Sequence, residues 1–434
     1  MADHNCPTTK IHKPVDEDSR VPVVEPKARI EADHRLQNTA APDASTAIVH
    51  PDQEIPKLFQ PVNLRSLRLQ NRIVVSPMCQ YSADNGHPTP WQFAHLGGII
   101  QRGPGLTITE ATAVAPEGRI TPQDAGLWLD SQMGPWKQIV EFTHSQNQHI
   151  AVQLAHAGRK ASTVAPWVDR KAAAPVETGG WPDKVVSSSD IPYDEHTCIP
   201  TTMTLRDIAS LKQSFADAVG RALKIGFDAI EIHAAHGYLL HSSLTAATNK
   251  LPAPYSGSLE NRMRLTIEIV ALVRSLIPST MPLLIRIPGS DWVDSPDAWD
   301  VKQAVELAKA LSAPELGVDF LDVSSGGLLS QQKIKSGPSY QAPFSKAVKE
   351  AVKDTGILVG AVGMITQGEQ AEGLLQDGYA DIILAARAFQ KHPGLVWQWA
   401  DELNVEVRVA NQIGWGFGQR PNGGVKGHAG AARG

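Results

Sequence analysis

Eight short apolar runs rich in β-branched residues recur along this chain, with helix-patterned segments between them. No other feature limits the fold as much. The runs are RIVVSPM (72–78), GLTITEAT (105–112), HIAVQLAH (149–156), FDAIEIHA (227–234), PLLIRI (282–287), VDFLDVSSG (318–326), GILVGAV (356–362) and ADIILAAR (380–387). The segment LRDIASLKQSFADAVGRALKIG sets Leu205, Ile208, Leu211, Phe215, Ala218, Val219 and Leu223 at helical spacing, and NRMRLTIEIVALVRSLI and VKQAVELAKALSA read the same way. Eight buried strands alternating with helices predict an α/β fold, a (β/α)8 TIM barrel whose usual ~250 residues leave room here for insertions. An open doubly wound sheet is the alternative.

Residues 1–56 are rich in charge, proline and small polar residues without a period that could bury a face, so they are expected to form a flexible or wrapped extension. Residues 57–415 form the expected barrel, and 416–434 a Gly-rich tail. One connection stands apart from the rest: from Ala157 to Thr204 the chain is full of Pro, Gly and Ser and carries Trp167 and Trp181. Leaving the end of the third strand, it would lie on the face where barrel active sites sit, as a structureless partial lid.

A formal net charge of −5 without a Lys/Arg block argues against nucleic acid or an anionic membrane and for a small-molecule partner. Cys6, Cys79 and Cys198 have no metal-ligand spacing, so no disulfide framework, zinc site or iron–sulfur cluster is expected. No apolar run approaches the ~20 residues of a membrane span, and the polar start lacks a signal peptide, which points to a soluble, cytoplasmic protein.

In a barrel, polar residues at the C-terminal ends of strands face the active-site mouth. Those positions hold Cys79 and Tyr81; Glu110 and Thr112; Gln153 and His156; His233, His236 and Tyr238; Arg286; Ser324 and Ser325; the GAVG of Gly360–Gly363; and Arg387. Glycine amides after the seventh strand with Arg387 after the eighth match a phosphate site, although the glycines could simply permit a turn and Arg387 cap a helix. Arg286, inside an apolar strand, needs either an electron-rich ligand or a salt bridge to Glu231 or Glu110. Gln153 can donate and accept at once, which suits an amide-like heterocycle, or a core hydrogen bond. For His233, His236 and Tyr238, zinc would want a third protein ligand, and core packing accounts poorly for three polar rings. A carbonyl clamp accounts for them better: two imidazole donors stabilise developing oxygen charge and the tyrosine supplies a proton. No Gly-x-Gly-x-x-Gly follows a strand, so a resident nicotinamide domain is not expected.

At these residues the chain resembles the Old Yellow Enzyme family of FMN-dependent ene-reductases, in the class that reads SPMCxY and as a fungal-type member. The matching stretches are NRIVVSPMCQYSA (71–83), EATAVAPEGRIT (110–121), QLAHAGRKA (153–161), EIHAAHGYL (231–239), GSLENR (257–262) and GAVGMIT (360–366), in family order. The resemblance implies FMN across the barrel mouth, its ring contacted by Pro77, Met78, Cys79, Ala111 and Gln153. Arg286 would face the N1/C2-oxygen edge, with Gly363, Ala386 and Arg387 at the phosphate end. It further implies NADPH or NADH as reductant and an enone-type substrate, the two using one site in turn. His233 and His236 would bind the activating oxygen, Tyr81 would line the pocket, and Tyr238 would be the proton donor. A homo-oligomer is compatible with it, and no metal is implied.

The chain departs from the family at Lys250–Pro254, at Pro288 and at Ile413, which bears on substrate preference, loop geometry and subunit contacts. Competing readings are a flavin-dependent reductase, isomerase or dehydrogenase of a natural-product pathway, a non-catalytic flavin-binding barrel, and a metal- or phosphate-ligand barrel lyase.

Overall fold

The computed structural model describes residues 44–51, 54–169 and 172–417. Most of the expected extension (1–43, 52 and 53, including Cys6) and residues 418–434 of the expected tail lie outside the described residues. The stretch at 44–51 is wrapped rather than loose. Ser45 N–H donates to Arg408 O (2.6 Å), Ile48 N–H to Glu406 O (2.8 Å), and Arg408 N–H to Thr46 O (3.0 Å).

All eight apolar runs become strands: β1 Ile73–Val75, β2 Leu106–Ala113, β3 Ile150–Ala155, β4 Ala229–His233, β5 Leu283–Pro288, β6 Phe320–Ser324, β7 Leu358–Ala361 and β8 Ile382–Ala385. They pair in parallel in sequence order, and β8 pairs with β1 to close the barrel. A helix follows each strand: α1 Pro90–Ile100, α2 Met133–Ser145, α3 Leu205–Ile225, α4 Leu259–Leu276, α5 Val301–Leu311, α6 Ala342–Val352, α7 Gly368–Gln376 and α8 Leu395–Glu402. This is the (β/α)8 TIM barrel that the alternation predicts.

Local chemistry sets the helix ends. Thr204 begins α3 with a capping box: its side chain accepts from Asp207 N–H while the Asp207 carboxylate accepts from Thr204 N–H. Gly226, at φ 98°, ends the same helix in the left-handed conformation. The helix buries Ile208, Leu211, Phe215, Ala218 and Val219, all on the apolar stripe read from sequence. Among the described residues no helix is long and apolar enough to cross a membrane.

Inside the barrel the side chains alternate with the strand period of two. Val74, Leu106, Ile108, Ala151, Ala229, Leu284, Phe320, Ile382 and Leu384 form one apolar layer. The antiparallel pair Val62–Leu64 and Leu67–Leu69 packs Leu64 and Leu69 against it. Two residues further along their strands stand Ser76, Gln153, Glu231, Arg286 and Asp322, so a polar layer rests on an apolar floor.

The 157–204 connection is not structureless. It contains three 3-10 turns and two short parallel strands, Val186–Ser187 and Thr201–Thr202. Ala157, Ala161, Val185 and Cys198 form its own small core, against which Tyr238 packs. It is a built wall of the mouth, and residues 170 and 171 lie outside its described part.

Candidate active site

The polar layer is held by strand register. Arg286 stands opposite Asp322 on β6 and opposite His233 on β4, and Gln153 stands opposite Glu231. Arg286 Nε donates to Asp322 Oδ2 (2.6 Å), with Nη2 also on that oxygen and donating to Ser76 Oγ (2.7 Å). The partner of Arg286 is therefore Asp322, neither Glu231 nor Glu110 as the sequence suggested. Glu231 instead accepts from Gln153 Nε2 (2.7 Å). Glu110 accepts from Gln80 N–H (2.9 Å) and so ties down the chain after β1.

Burial, reinforced by the charge of Asp322, pushes the Glu231 carboxyl up to about 8. A protonated Glu231 leaves Arg286 and Asp322 as a charge-balanced buried pair. Burial alone would lower Arg286, but the charge and hydrogen bond of Asp322 outweigh it and keep the guanidinium ionised.

At the end of β4 the three predicted rings meet edge to face. His233 lies 5.1 Å from His236 at 90° and 4.9 Å from Tyr238 at 87°, between ring centroids. Two consecutive left-handed residues, His236 (φ 60°) and Gly237 (φ 76°), turn the chain so that these side chains converge. Only glycine fits at 237, because a Cβ there would come within 2.1 Å of Gly327 O. Gly237 N–H donates to His241 Nδ1 (2.9 Å), and His241 Nε2 lies 3.0 Å from Asp291 Oδ1 in a fully buried pair.

Burial lowers His233 and His236 well below the usual imidazole value, so both rings are neutral. His233 Nδ1 accepts from Ala235 N–H (3.2 Å), which places its proton on Nε2. His236 Nε2 is 2.7 Å from Ser324 Oγ, and Ser325 Oγ already donates to Gln341 Oε1 (2.6 Å). Ser324 Oγ can also donate to Gln341 Oε1 (3.3 Å), so the tautomer of His236 is set by which of these two bonds the hydroxyl proton makes. Burial raises the Tyr238 phenol well above its ordinary value, so it holds its proton.

Tyr81 (φ 48°) reaches the mouth from the chain after β1 and stands edge-on to Trp167 at 5.6 Å. Burial keeps both Cys79 and Tyr81 protonated. Tyr81, Tyr238, Lys160, Tyr193 and Asp194 border a cleft of about 180 Å³ open to solvent. Lys160 was not singled out by sequence. Its ammonium donates to His236 O (3.0 Å) and Gly327 O (2.7 Å), with burial lowering its pKa to about 7.

The other predicted positions divide. Gly363 (φ 118°) lies past β7, and a Cβ there would come within 2.7 Å of Gln341 and 3.0 Å of Tyr340. Gly360 lies within β7, where a Cβ would strike Leu384 and Phe320 at 2.5 Å, so it is a packing glycine. Ala386 precedes the short helix Arg387–Lys391, with Arg387 exposed. Pro77, Met78 and Cys79 are partly buried and Ala111 is buried, placed opposite Gln153 after a register shift in β2. Ser188 joins the departure segment to the insertion, donating to Thr248 O (2.9 Å) and accepting at its carbonyl from Lys250 N–H (2.8 Å). Pro288 ends β5 opposite Ser324, and Ile413 lies in the helix Asn411–Gly414.

These residues fit FMN. Glu231 Oε2 and Asp322 Oδ1 are buried without a hydrogen-bond partner, and the bonds of Arg286 run through Nε and Nη2, sparing Nη1. A donor and acceptor set of that kind suits the heteroatom edge of an isoalloxazine. The glycine-only position at 363 with Arg387 suits its phosphate. Among the described residues no group of three or more His, Cys, Asp or Glu could hold a metal ion.

The pattern of the NADH:flavin oxidoreductase / NADH oxidase family matches residues 57–406. A NADH:flavin oxidoreductase of Gibberella zeae is 49% identical over 381 residues, covering 85% of this chain and 91% of that protein. An NADPH dehydrogenase of Bacillus subtilis is 38% identical over 363 residues, covering 83% and 99%. Among solved structures, morphinone reductase in complex with tetrahydroNAD superposes with a TM-score of 0.65 at 23% identity, covering 82% of this chain and 93% of that one, a likeness of fold.

Proposed function

This chain belongs to the NADH:flavin oxidoreductase / NADH oxidase family, and from that premise we propose that it reduces the activated C=C bond of α,β-unsaturated carbonyl compounds. It is an FMN-dependent oxidoreductase that uses NADH or NADPH. We assign it to the Old Yellow Enzyme class that reads SPMCxY, here 76–81, as a fungal-type member. The observation that carries the proposal is the convergence of His233, His236 and Tyr238 above the Arg286 layer.

FMN, when bound, supplies a hydride taken from the nicotinamide. The residues of this chain do the rest. His233 Nε2–H and one ring N–H of His236 act as two neutral donors to the substrate carbonyl oxygen, where negative charge grows as the β-carbon accepts hydride. Neutral rings suit this task, because their dipoles stabilise the oxygen without protonating it. Tyr238 then gives its phenol proton to the α-carbon. Arg286 would hold a permanent positive charge toward bound FMN, whose ring Pro77, Met78, Cys79, Ala111 and Gln153 would frame. Gly363, Ala386 and Arg387 would hold its phosphate, and Tyr81 would line the substrate side.

The source of the α-proton tests this reading. In D2O with ordinary NADPH, the product of 2-cyclohexenone reduction should carry deuterium at the α-carbon and none at the β-carbon, read by NMR. Deuterium at the β-carbon would remove direct hydride delivery from the mechanism.

A further inference from the structure

The reaction proposed above takes one proton from Tyr238 in every turnover. Burial makes a phenolate costly there, so the ring has to be reprotonated before the next cycle. Beside Tyr238 lies a small cavity of about 10 Å³ whose other walls are alanine, glycine and isoleucine except for one side chain, Asp124. That space is about what a single water needs, roughly 10 Å³ for its centre, and Tyr238 and Asp124 are the polar partners that a water in it requires.

Asp124 is 2% exposed. Its Oδ1 accepts from Thr121 Oγ (2.8 Å) and its Oδ2 from Ile120 N–H (2.7 Å), with a further bond from the Thr121 backbone, which leaves the carboxylate one acceptor site. Burial pushes its carboxyl up to about 6, against those hydrogen bonds and the charge of Arg119. The other ionisable groups around it are Glu110, which burial pushes up to about 8, and the protonated Cys79, Tyr81 and Tyr238. Thr121 and Ile120 also border the solvent-open cleft, so this carboxyl stands between cavity and solvent.

We propose that Asp124 is the proton relay that recharges Tyr238 through water in this cavity. The inference rests on the reading of Tyr238 as the acid. The O–H bond of the Asp124 carboxyl breaks as its proton passes to the cavity water, and that water passes a proton to the phenolate oxygen. The products are an Asp124 carboxylate, water and neutral tyrosine, with no electrons transferred. The carboxylate regains its proton from the cleft side, past Thr121. Asp124 does not touch the substrate, so its loss should slow turnover less than loss of Tyr238.

The experiment compares holoenzyme carrying Asp124→Asn, Ala155→Val and Tyr238→Phe with the parent. Ala155→Val fills the cavity from another wall and keeps the carboxyl. Both Asp124→Asn and Ala155→Val should lower multiple-turnover reduction of 2-cyclohexenone by about tenfold, less than the ~10²-fold or more of a lost general acid. The parent rate should fall as pH rises through about 6, a limb missing from Asp124→Asn. Infrared difference spectra should show a carboxyl titrating near that pH in the parent and in Ala155→Val, and none in Asp124→Asn. A parent-like rate and pH profile in Asp124→Asn, with Tyr238→Phe slow, would overturn the relay alone. A parent-like rate in Tyr238→Phe would overturn the reading beneath it.

Discussion

Tyr238→Phe is expected to lower enone turnover by roughly 10²-fold or more, the loss that follows removal of a positioned general acid, while NADPH bleaches the flavin at close to the parent rate. The substitution deletes one hydroxyl and little else. The ring keeps its edge contact with His233 and its packing against Ala157, Ala161, Val185 and Cys198. Leu239 N–H still donates to His156 O (3.0 Å), so the turn that carries the ring is not disturbed. Hydride arrival at the flavin needs neither the phenol nor the α-carbon, which is why the two half-reactions should separate. Stopped-flow measurement of each half-reaction checks this, and normal enone reoxidation in the variant would remove the tyrosine from the chemistry.

Arg286→Met is expected to destabilise the fold by about 3–5 kcal/mol, the usual result of removing one partner from a buried ion pair. It should also abolish tight FMN binding. The variant leaves Asp322 and Glu231 together in the barrel with no cation. Burial raises both carboxyls, and loss of the guanidinium removes the charge that opposes this rise. A carboxyl whose folded-state pKa is raised binds its proton more tightly when folded. Its contribution is fully present below the unfolded pKa and is lost as pH rises through the folded one. The deficit of the variant should therefore be smallest near pH 4 and should grow toward pH 8. Urea unfolding across that range, with the FMN content of each preparation, provides the test; a deficit independent of pH would contradict it.

The barrel was legible because each strand is a compact apolar run and each helix carries a stripe at its own period. The partner of Arg286 was not, because it depends on which residues of β5 and β6 stand side by side. Asp322 lies two residues after Phe320, on the same inward face, so the period of two within VDFLDVSSG carried a usable signal. The GAVG motif misled in part. A strand glycine kept for packing, Gly360, and a loop glycine kept for its backbone angle, Gly363, look alike in sequence.

The convergence of His233, His236 and Tyr238 was legible because three polar rings at one strand end are hard to place in a core. Lys160, Asp124 and the His241–Asp291 pair were not. Lys160 and Asp124 act through carbonyls or a cavity beside them, and His241 and Asp291 meet only after β4 and β5 have paired. The 157–204 wall hid its order in the same way, since two-residue strands and single turns leave no period to read.

The central claim, that this barrel passes electrons from a nicotinamide to an enone through bound flavin, is tested most directly by the visible spectrum of the purified holoenzyme. Anaerobic NADPH should bleach the flavin band, and 2-cyclohexenone should restore it without oxygen. A flavin that bleaches but stays reduced after the enone is added would contradict the assignment of His233, His236 and Tyr238 to enone reduction.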